Sequence, residues 1–457
     1  MASSNDGRAE VASAAGAISG ASIVSVASIM DASGQHAPRP WLHVVGLGED
    51  GLDGLGAGAR RAISDAQAVF GGHRHLELAA AAITGEACPW PTPFDAGLAA
   101  VMARRGAPVC VLASGDPMHY GVGVTLARHV PIAEMKVWPA PSSFSLAAAR
   151  LGWALQDVTL LSLHGRDEDA LRAHLFPGMR LLVLTSDGAA PARLARMLDD
   201  SGFGASGAWV LEALGGSRER ATATTAGAMG DALFDPLNVL ALELRATERS
   251  GAADGVSAEQ HASPKTSEAQ PAPLGSGLDD SFFDHDGQIT KREVRAVTLA
   301  ALAPLPGQLL WDVGAGSGSI GIEWLRLSPA MRAIAIEQDA ARAERARANA
   351  ARLGVPRLDL RAGAAPEAFA GLPQPDAIFI GGGAREAVVD AARAALKPGG
   401  RLVINAVTLE TQALLTTMRQ RHGGDLISLA VARAAPVGGL TGWRVAMPIV
   451  QWRWSKP

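Results

Sequence analysis

Short apolar runs recur along this chain, each closed by a glycine or a polar residue, with alanine-rich stretches of helical spacing between several of them. In the first half they are Trp41 to Val45, Val69-Phe70, Val109 to Ala113, Val158 to Leu163, Arg180 to Thr185, Ala208 to Leu211 and Leu237 to Leu242. Ala57 to Ala66 and Ala189 to Asp199 lie between them with helical periodicity, so the pattern predicts an α/β unit. The turn Pro139-Ala140-Pro141-Ser142-Ser143 predicts a break into two subdomains with a cleft. In the last third the alternation is cleaner. Strands at Leu309 to Val313, Arg332 to Glu337, Leu358 to Arg361, Ala377 to Ile380 and Arg401 to Asn405 alternate with helices at Ile320 to Leu327, Ala340 to Leu353 and Ala384 to Leu396. Right-handed crossovers then give a doubly wound parallel sheet that binds ligands at the carboxyl ends of its strands. Apolar runs at Leu426 to Val431 and Trp443 to Trp452 predict added edge strands.

The periodicity fails in two places. Residues 1–39 are rich in Ala, Ser and Gly and lack a basic start followed by a sustained apolar segment, which predicts a disordered N-terminal extension. Residues 247–278 are rich in Ser, Gly, Pro and charge and predict a flexible linker. The expected division is therefore an extension (1–39), an α/β domain (40–246), the linker, and a second α/β domain (279–457). At 457 residues, several domains are the prior in any case.

A net charge of -4 gives no basic field and disfavours nucleic acid as the partner. No apolar run reaches the roughly 18 residues needed to span a bilayer. Cys88 and Cys110 are too few for a disulfide framework or a zinc site, so the reading is a cytoplasmic protein with no metal.

Candidate chemistry gathers in two glycine-rich turns, each after a predicted strand. The first is Val44-Val45-Gly46-Leu47-Gly48-Glu49-Asp50-Gly51, where Glu49 and Asp50 would repel a pyrophosphate. The second is Asp312-Val313-Gly314-Ala315-Gly316-Ser317-Gly318, followed by Glu337 at the end of the next strand, 25 residues after Asp312. An Asp at a strand end can face an ammonium, glycines let the backbone approach a ligand, and the later carboxylate can take both ribose hydroxyls. That set fits S-adenosylmethionine, which has a ribose, an ammonium and a sulfonium but no phosphate. Read separately, Asp312 is a strand-end cap and Glu337 a helix-start residue; their joint spacing favours the ligand. A dinucleotide dehydrogenase is disfavoured by the acidic pair and by the register of Asp312.

Further segments carry a family resemblance. Ala113-Ser114-Gly115-Asp116-Pro117-Met118-His119-Tyr120-Gly121, Pro141-Ser142-Ser143-Phe144 and Leu211-Glu212-Ala213-Leu214-Gly215-Gly216-Ser217-Arg218-Glu219, together with the first turn, resemble the tetrapyrrole methylases over roughly residues 40 to 246. Ile289-Thr290-Lys291-Arg292-Glu293-Val294-Arg295, the second turn and Leu396-Lys397-Pro398-Gly399-Gly400 resemble the Rossmann-like precorrin methyltransferases. The resemblance implies a two-subdomain tetrapyrrole methylase fold fused to a class I S-adenosylmethionine methyltransferase fold, with one cofactor per domain. It further implies methylation of carbon 5 by the first domain, and methylation of carbon 15 with decarboxylation of the ring C acetate by the second. The substrate would be precorrin-6B and the product precorrin-8, with no nucleic-acid or membrane partner and a homo-oligomeric assembly.

Under that resemblance Gly46, Gly48, Gly115, Asp116, Ser142 and Ser143 are expected to hold the first cofactor, with His119 and Tyr120 at the acceptor and Arg218 a further candidate. In the second domain Thr290, Asp312, Gly314, Gly316, Gly318, Glu337 and Ala364 are expected to hold the cofactor. Lys291, Arg292, Arg295 and Arg385 are expected to meet acceptor carboxylates. Arg345, Arg347 and Arg352 are expected on a solvated helix face, and His285 and Glu293 are the candidate proton donors for decarboxylation. A methyltransferase acting on RNA or protein, and a non-catalytic S-adenosylmethionine sensor, are the alternatives.

Overall fold

The computed structural model describes residues 40–247 and 271–457. The expected N-terminal extension and the central part of the expected linker lie outside the described residues. The chain divides into two compact units between Ser142 and Ser143, within the turn expected to separate two subdomains.

In the first unit, strands β1 (Leu42–Leu47), β2 (Ala68–Gly71), β3 (Glu86–Pro89), β4 (Val109–Ser114) and β5 (Met135–Trp138) form one parallel sheet of order β3-β2-β4-β1-β5. Four helices, α1 (Ala57–Ser64), α2 (His73–Ala79), α3 (Phe94–Met102) and α4 (Val122–Leu126), make the connections. β4 reads Val-Cys-Val-Leu-Ala-Ser and buries its first five residues, as a central parallel strand covered on both faces must. Val44, Phe70 and Val111 pack on one side of the sheet, and Val45, Val69 and Leu112 on the other.

The second unit begins with α5 (Ser143–Leu151) and a mixed sheet. Its strands β6 (Thr159–Ser162), β7 (Arg180–Leu184), β8 (Gly207–Glu212), β9 (Arg220–Thr225) and β10 (Asn238–Glu243) lie in the order β6-β7-β10-β8-β9, and only β6 and β7 run parallel. Helix α6 (Ala190–Asp200) starts where Asp187 Oδ1 accepts from the amides of Ala189 and Ala190, and it buries Leu194 and Leu198 one turn apart.

The third sheet has β11 (Leu309–Val313), β12 (Arg332–Glu337), β13 (Asp359–Ala362), β14 (Ala377–Ile380), β15 (Arg401–Ala406), β16 (Asp425–Leu429) and β19 (Ile449–Ser455) in the order β13-β12-β11-β14-β15-β19-β16. The first five strands in that order are parallel, and β19 is antiparallel to both its neighbours. Helices α7 (Arg292–Leu302), α8 (Ser319–Arg326), α9 (Ala340–Arg352), α10 (Glu386–Ala395) and α11 (Leu409–His422) cover it. The apolar run Trp443 to Trp452 is not one strand. It divides between β19 and a separate hairpin of β17 (Ala432–Val437) and β18 (Leu440–Val445). The stretch expected as linker up to 278 also needs correcting: Leu278 is buried in the core with Phe283 and Trp324, and Ala272 packs against the same cluster.

Candidate functional sites

The carboxyl edge of the first sheet brings three separate turns together, because β4, β1 and β5 are adjacent. The amide of Gly115 donates to the Leu47 carbonyl at 3.0 Å, and that of Ala140 donates to Gly115 at 3.4 Å. A methyl group on Gly46 would lie 1.9 Å from the Gly115 carbonyl oxygen, so glycine is required for this approach. Gly48, Gly115, Asp116 and Ser142 belong to the same turns, while Ser143 begins α5 in the second unit. Asp116 Oδ1 accepts from the Met118 amide at 2.9 Å, a turn-forming bond. His119 and Tyr120 stack at 5.0 Å on the following loop. Arg218, in the second unit, is ion-paired to Asp235.

Glu49 corrects part of the charge reasoning. It pairs with Arg74, which neutralises one of the two carboxylates held to repel a pyrophosphate. Asp50 folds back over the turn, where side chains on Gly48 or Gly54 would strike its carboxylate. Arg74 also donates to Ser114 Oγ at 3.1 Å and to His75 Nε2 at 3.1 Å, and the latter nitrogen is 2.8 Å from the same hydroxyl. Burial, and then the adjacent Arg74 charge, push the His75 pKa down to about 4. A neutral imidazole accepting at Nε2 fits both contacts. Glu49, Arg74, His75 and Ser114 thus staple the first turn to the Ser114-Gly115-Asp116 turn. Sequence reasoning missed Arg74 and His75, whose partners are some forty positions away.

The second site is a cavity of about 920 Å³ over the carboxyl ends of β11, β12 and β14. Thr290, Lys291, Asp312, Gly314, Gly316, Glu337, Ala364 and Arg385 all line it. Asp312 is fully buried; its Oδ2 accepts from the Gly321 amide at 2.9 Å, while Oδ1 has no partner among the described residues. Burial pushes its pKa up to about 7, helped by repulsion from Glu337. Glu337 accepts from the Gly316 amide at 2.8 Å and the Asp339 amide at 3.0 Å, leaving each carboxylate oxygen a further lone pair. A Cβ added to Gly314, which sits at φ +69°, would lie 2.9 Å from the Gly382 carbonyl oxygen. Asn405, which also lines the cavity, is fixed by Thr298 and Gln451.

Arg292, Arg295 and Gly318, all expected at the site, are not among the residues that line the cavity. Arg295 is completely buried, pairs with Glu323 and Asp280, and donates to the carbonyls of Thr290 and Leu278. It ties the segment before α7 to α8 and does not reach the cavity, because its donors are spent on that segment. Gly318 caps α8 at φ +75° against Ala346, outside the cavity lining. Lys291 stays half-exposed at the mouth, 3.5 Å from Asp280, while Arg292 lies 3.8 Å from Asp279. Arg345 and Arg352 are not simply solvated: Arg345 pairs with Asp284 and Asp286, and Arg352 donates to the Phe282 carbonyl, whereas Arg347 is exposed. Glu293 lines the cavity and pairs with Arg433; His285 Nδ1 accepts from Gly287 and lies outside the lining. Among the described residues there is no cluster suited to a metal and no helix long and apolar enough to cross a membrane.

Two family models match the chain, one covering strands of both sheets before residue 247 and the other the third sheet. The tetrapyrrole (corrin/porphyrin) methylases match residues 41–230 and the precorrin methyltransferase domain matches 281–456. Fold and sites therefore define a methyltransferase built from a tetrapyrrole methylase domain and a C-terminal methyltransferase domain. A Sinorhizobium precorrin-6Y C(5,15)-methyltransferase [decarboxylating] is 56% identical over 91% of this chain and 97% of its own, and a Mycobacterium tuberculosis protein of the same name is 39% identical over 90% and 99%. The solved C-terminal domain of the Rhodobacter capsulatus precorrin-6Y C5,15-methyltransferase is 47% identical, covering 40% of this chain and all of that one, with a TM-score of 0.39. The chain belongs to the precorrin-6Y C5,15-methyltransferase (decarboxylating) family.

Proposed function

We propose that the chain binds S-adenosylmethionine in each domain, methylates carbons 5 and 15 of precorrin-6B and removes the carboxylate of the ring C acetate, giving precorrin-8. Its setting in this reading is the cytoplasm, as a homo-oligomer. The names of the relatives supply the two positions and the decarboxylation. The observation that carries the cofactor assignment is the unpartnered Asp312 Oδ1, buried beside Glu337 in the wall of the cavity. A buried acceptor without a donor costs about 1–3 kcal/mol, and the ammonium of S-adenosylmethionine would satisfy it.

When bound, the sulfonium supplies a methyl group already activated for transfer, so the protein's task is placement. Glu337 takes the ribose hydroxyls and Ala364 borders the base, while Thr290 and Lys291 close the side nearest solvent. Lys291 and Arg385 meet acceptor carboxylates at the mouth. In the first domain the Gly46, Gly115 and Ser142 turns present backbone groups to the second cofactor molecule.

The test is mass spectrometry of the tetrapyrrole after full-length protein meets S-adenosylmethionine and precorrin-6B. Two added methyl groups and one lost carbon dioxide support the reading. An unchanged tetrapyrrole overturns it, and a single methyl group overturns the assignment of two working sites.

A further inference from the structure

The hairpin of β17 and β18 stands at the cavity mouth, where Val431, Arg433, Ala446 and Met447 at its base line the wall. Cross-strand partners are Arg433 with Arg444, Ala435 with Gly442, and Val437 with Leu440. Alternation along a strand puts all six on one face, the face of the cavity-lining Arg433. Two cations directly opposite each other destabilise an antiparallel pair. Arg433 is answered by Glu293 of α7, but Arg444 has no ion-pair partner among the described residues. Beyond them, Ala435 and Gly442 leave a shallow stretch, and Val437 and Leu440 at the tip are 65% and 79% exposed.

We infer that this face is the acceptor platform of the C-terminal domain: it takes a flat, amphipathic polycarboxylate macrocycle, with a peripheral carboxylate on Arg444. This rests on the function proposed above. Charge complementarity selects the occupant, since the spare cation wants an anion while the small and apolar residues beside it want an uncharged surface. From Arg433 to Val437 is four residues, about 14 Å of strand, a length suited to a ring with its acid arms. The platform is continuous with the cavity, so a macrocycle lying on it can turn one edge toward a methyl donor held by Asp312 and Glu337.

The test uses the full-length protein with Arg444→Glu, Arg444→Lys and Leu440→Ser, scoring carbon-15 methylation separately from carbon-5 methylation. We expect Arg444→Glu to raise the tetrapyrrole KM of the carbon-15 step at least tenfold, Arg444→Lys to recover part of that loss, and Leu440→Ser to raise it severalfold. The carbon-5 step and calorimetric S-adenosylmethionine binding should stay at wild-type values. A KM for Arg444→Glu within twofold of wild type overturns the platform while leaving the proposed function intact. So does a change of oligomeric state with Leu440→Ser, which would assign the face to a second copy of the chain. Wild-type protein that does not modify carbon 15 at all overturns the function, and the platform with it.

Discussion

The two glycine-rich turns meet a similar demand with opposite electrostatics. In the first, Glu49 pairs with Arg74, and burial holds His75 neutral. In the second, Asp312 keeps one oxygen on the Gly321 amide and leaves the other with no partner among the described residues. The difference lies in what fixes each loop. In the first, charged side chains pair with one another between turns that also share backbone bonds, so those charges are already committed. In the second, the carboxylates of Glu337 and Asp312 accept from the loop's own amides, which leaves oxygen lone pairs in reserve for a cationic ligand.

The sharpest way to break this contrast is Asp312→Ala. It should weaken S-adenosylmethionine binding in the C-terminal domain roughly a hundredfold, since a hydrogen bond to a charged group contributes about 1.5–3 kcal/mol. Calorimetry on the full-length protein should then show one site lost and the other kept. Equal weakening of both sites would mean that the turns are not independent.

Next in size is the glycine comparison. Gly46→Ala drives a methyl group into the Gly115 backbone at 1.9 Å, whereas Gly316→Ala meets nothing closer than 3.7 Å and suffers only its φ of +57°. Overpacking costs about 1–3 kcal/mol and a left-handed alanine about 1 kcal/mol. Carbon-5 methylation should fall more than tenfold in the first variant, and carbon-15 methylation only severalfold in the second. Arg74→Met follows, with a roughly fivefold loss confined to carbon 5, because partly buried Glu49 loses its partner. A loss at carbon 15 of similar size would remove Arg74 from the first site.

Much of this contrast was legible in the sequence where burial and spacing coincide. Leu309–Val313, Arg332–Glu337 and Ala377–Ile380 were visible because parallel strands buried on both faces read as unbroken apolar runs. Asp312 and Glu337 follow from the ends of those strands. Exposed edge strands escaped: Glu86–Pro89 and Arg220–Thr225 carry too little apolar surface, and the Ala- and Pro-bearing strand Ala432–Val437 reads as loop. Arg295 was misplaced because charge in a sequence does not reveal whether a partner waits inside, and Glu323 does. The staple of Arg74 and His75 exists only once α2 is laid beside β4, a pairing that no local pattern encodes.

A different probe, pH, separates the turns through stability. Asp312 is raised from 3.8 to about 7. The unfolded chain therefore releases that proton first as pH rises, and the C-terminal domain loses stability between about pH 4 and pH 7. His75 is lowered from 6.5 to about 4, so the unfolded chain takes up its proton first as pH falls. The first unit therefore loses stability from about pH 6.5 down to pH 4. Hydrogen exchange, corrected for the intrinsic pH dependence of amide exchange, should show protection of β4 rising with pH while protection of β11 falls. His75→Gln should flatten the first slope and Asp312→Asn the second, and bound S-adenosylmethionine should suppress the second by holding Asp312 ionised against an ammonium. Slopes of the same sign in both domains would show that these two groups do not set the response.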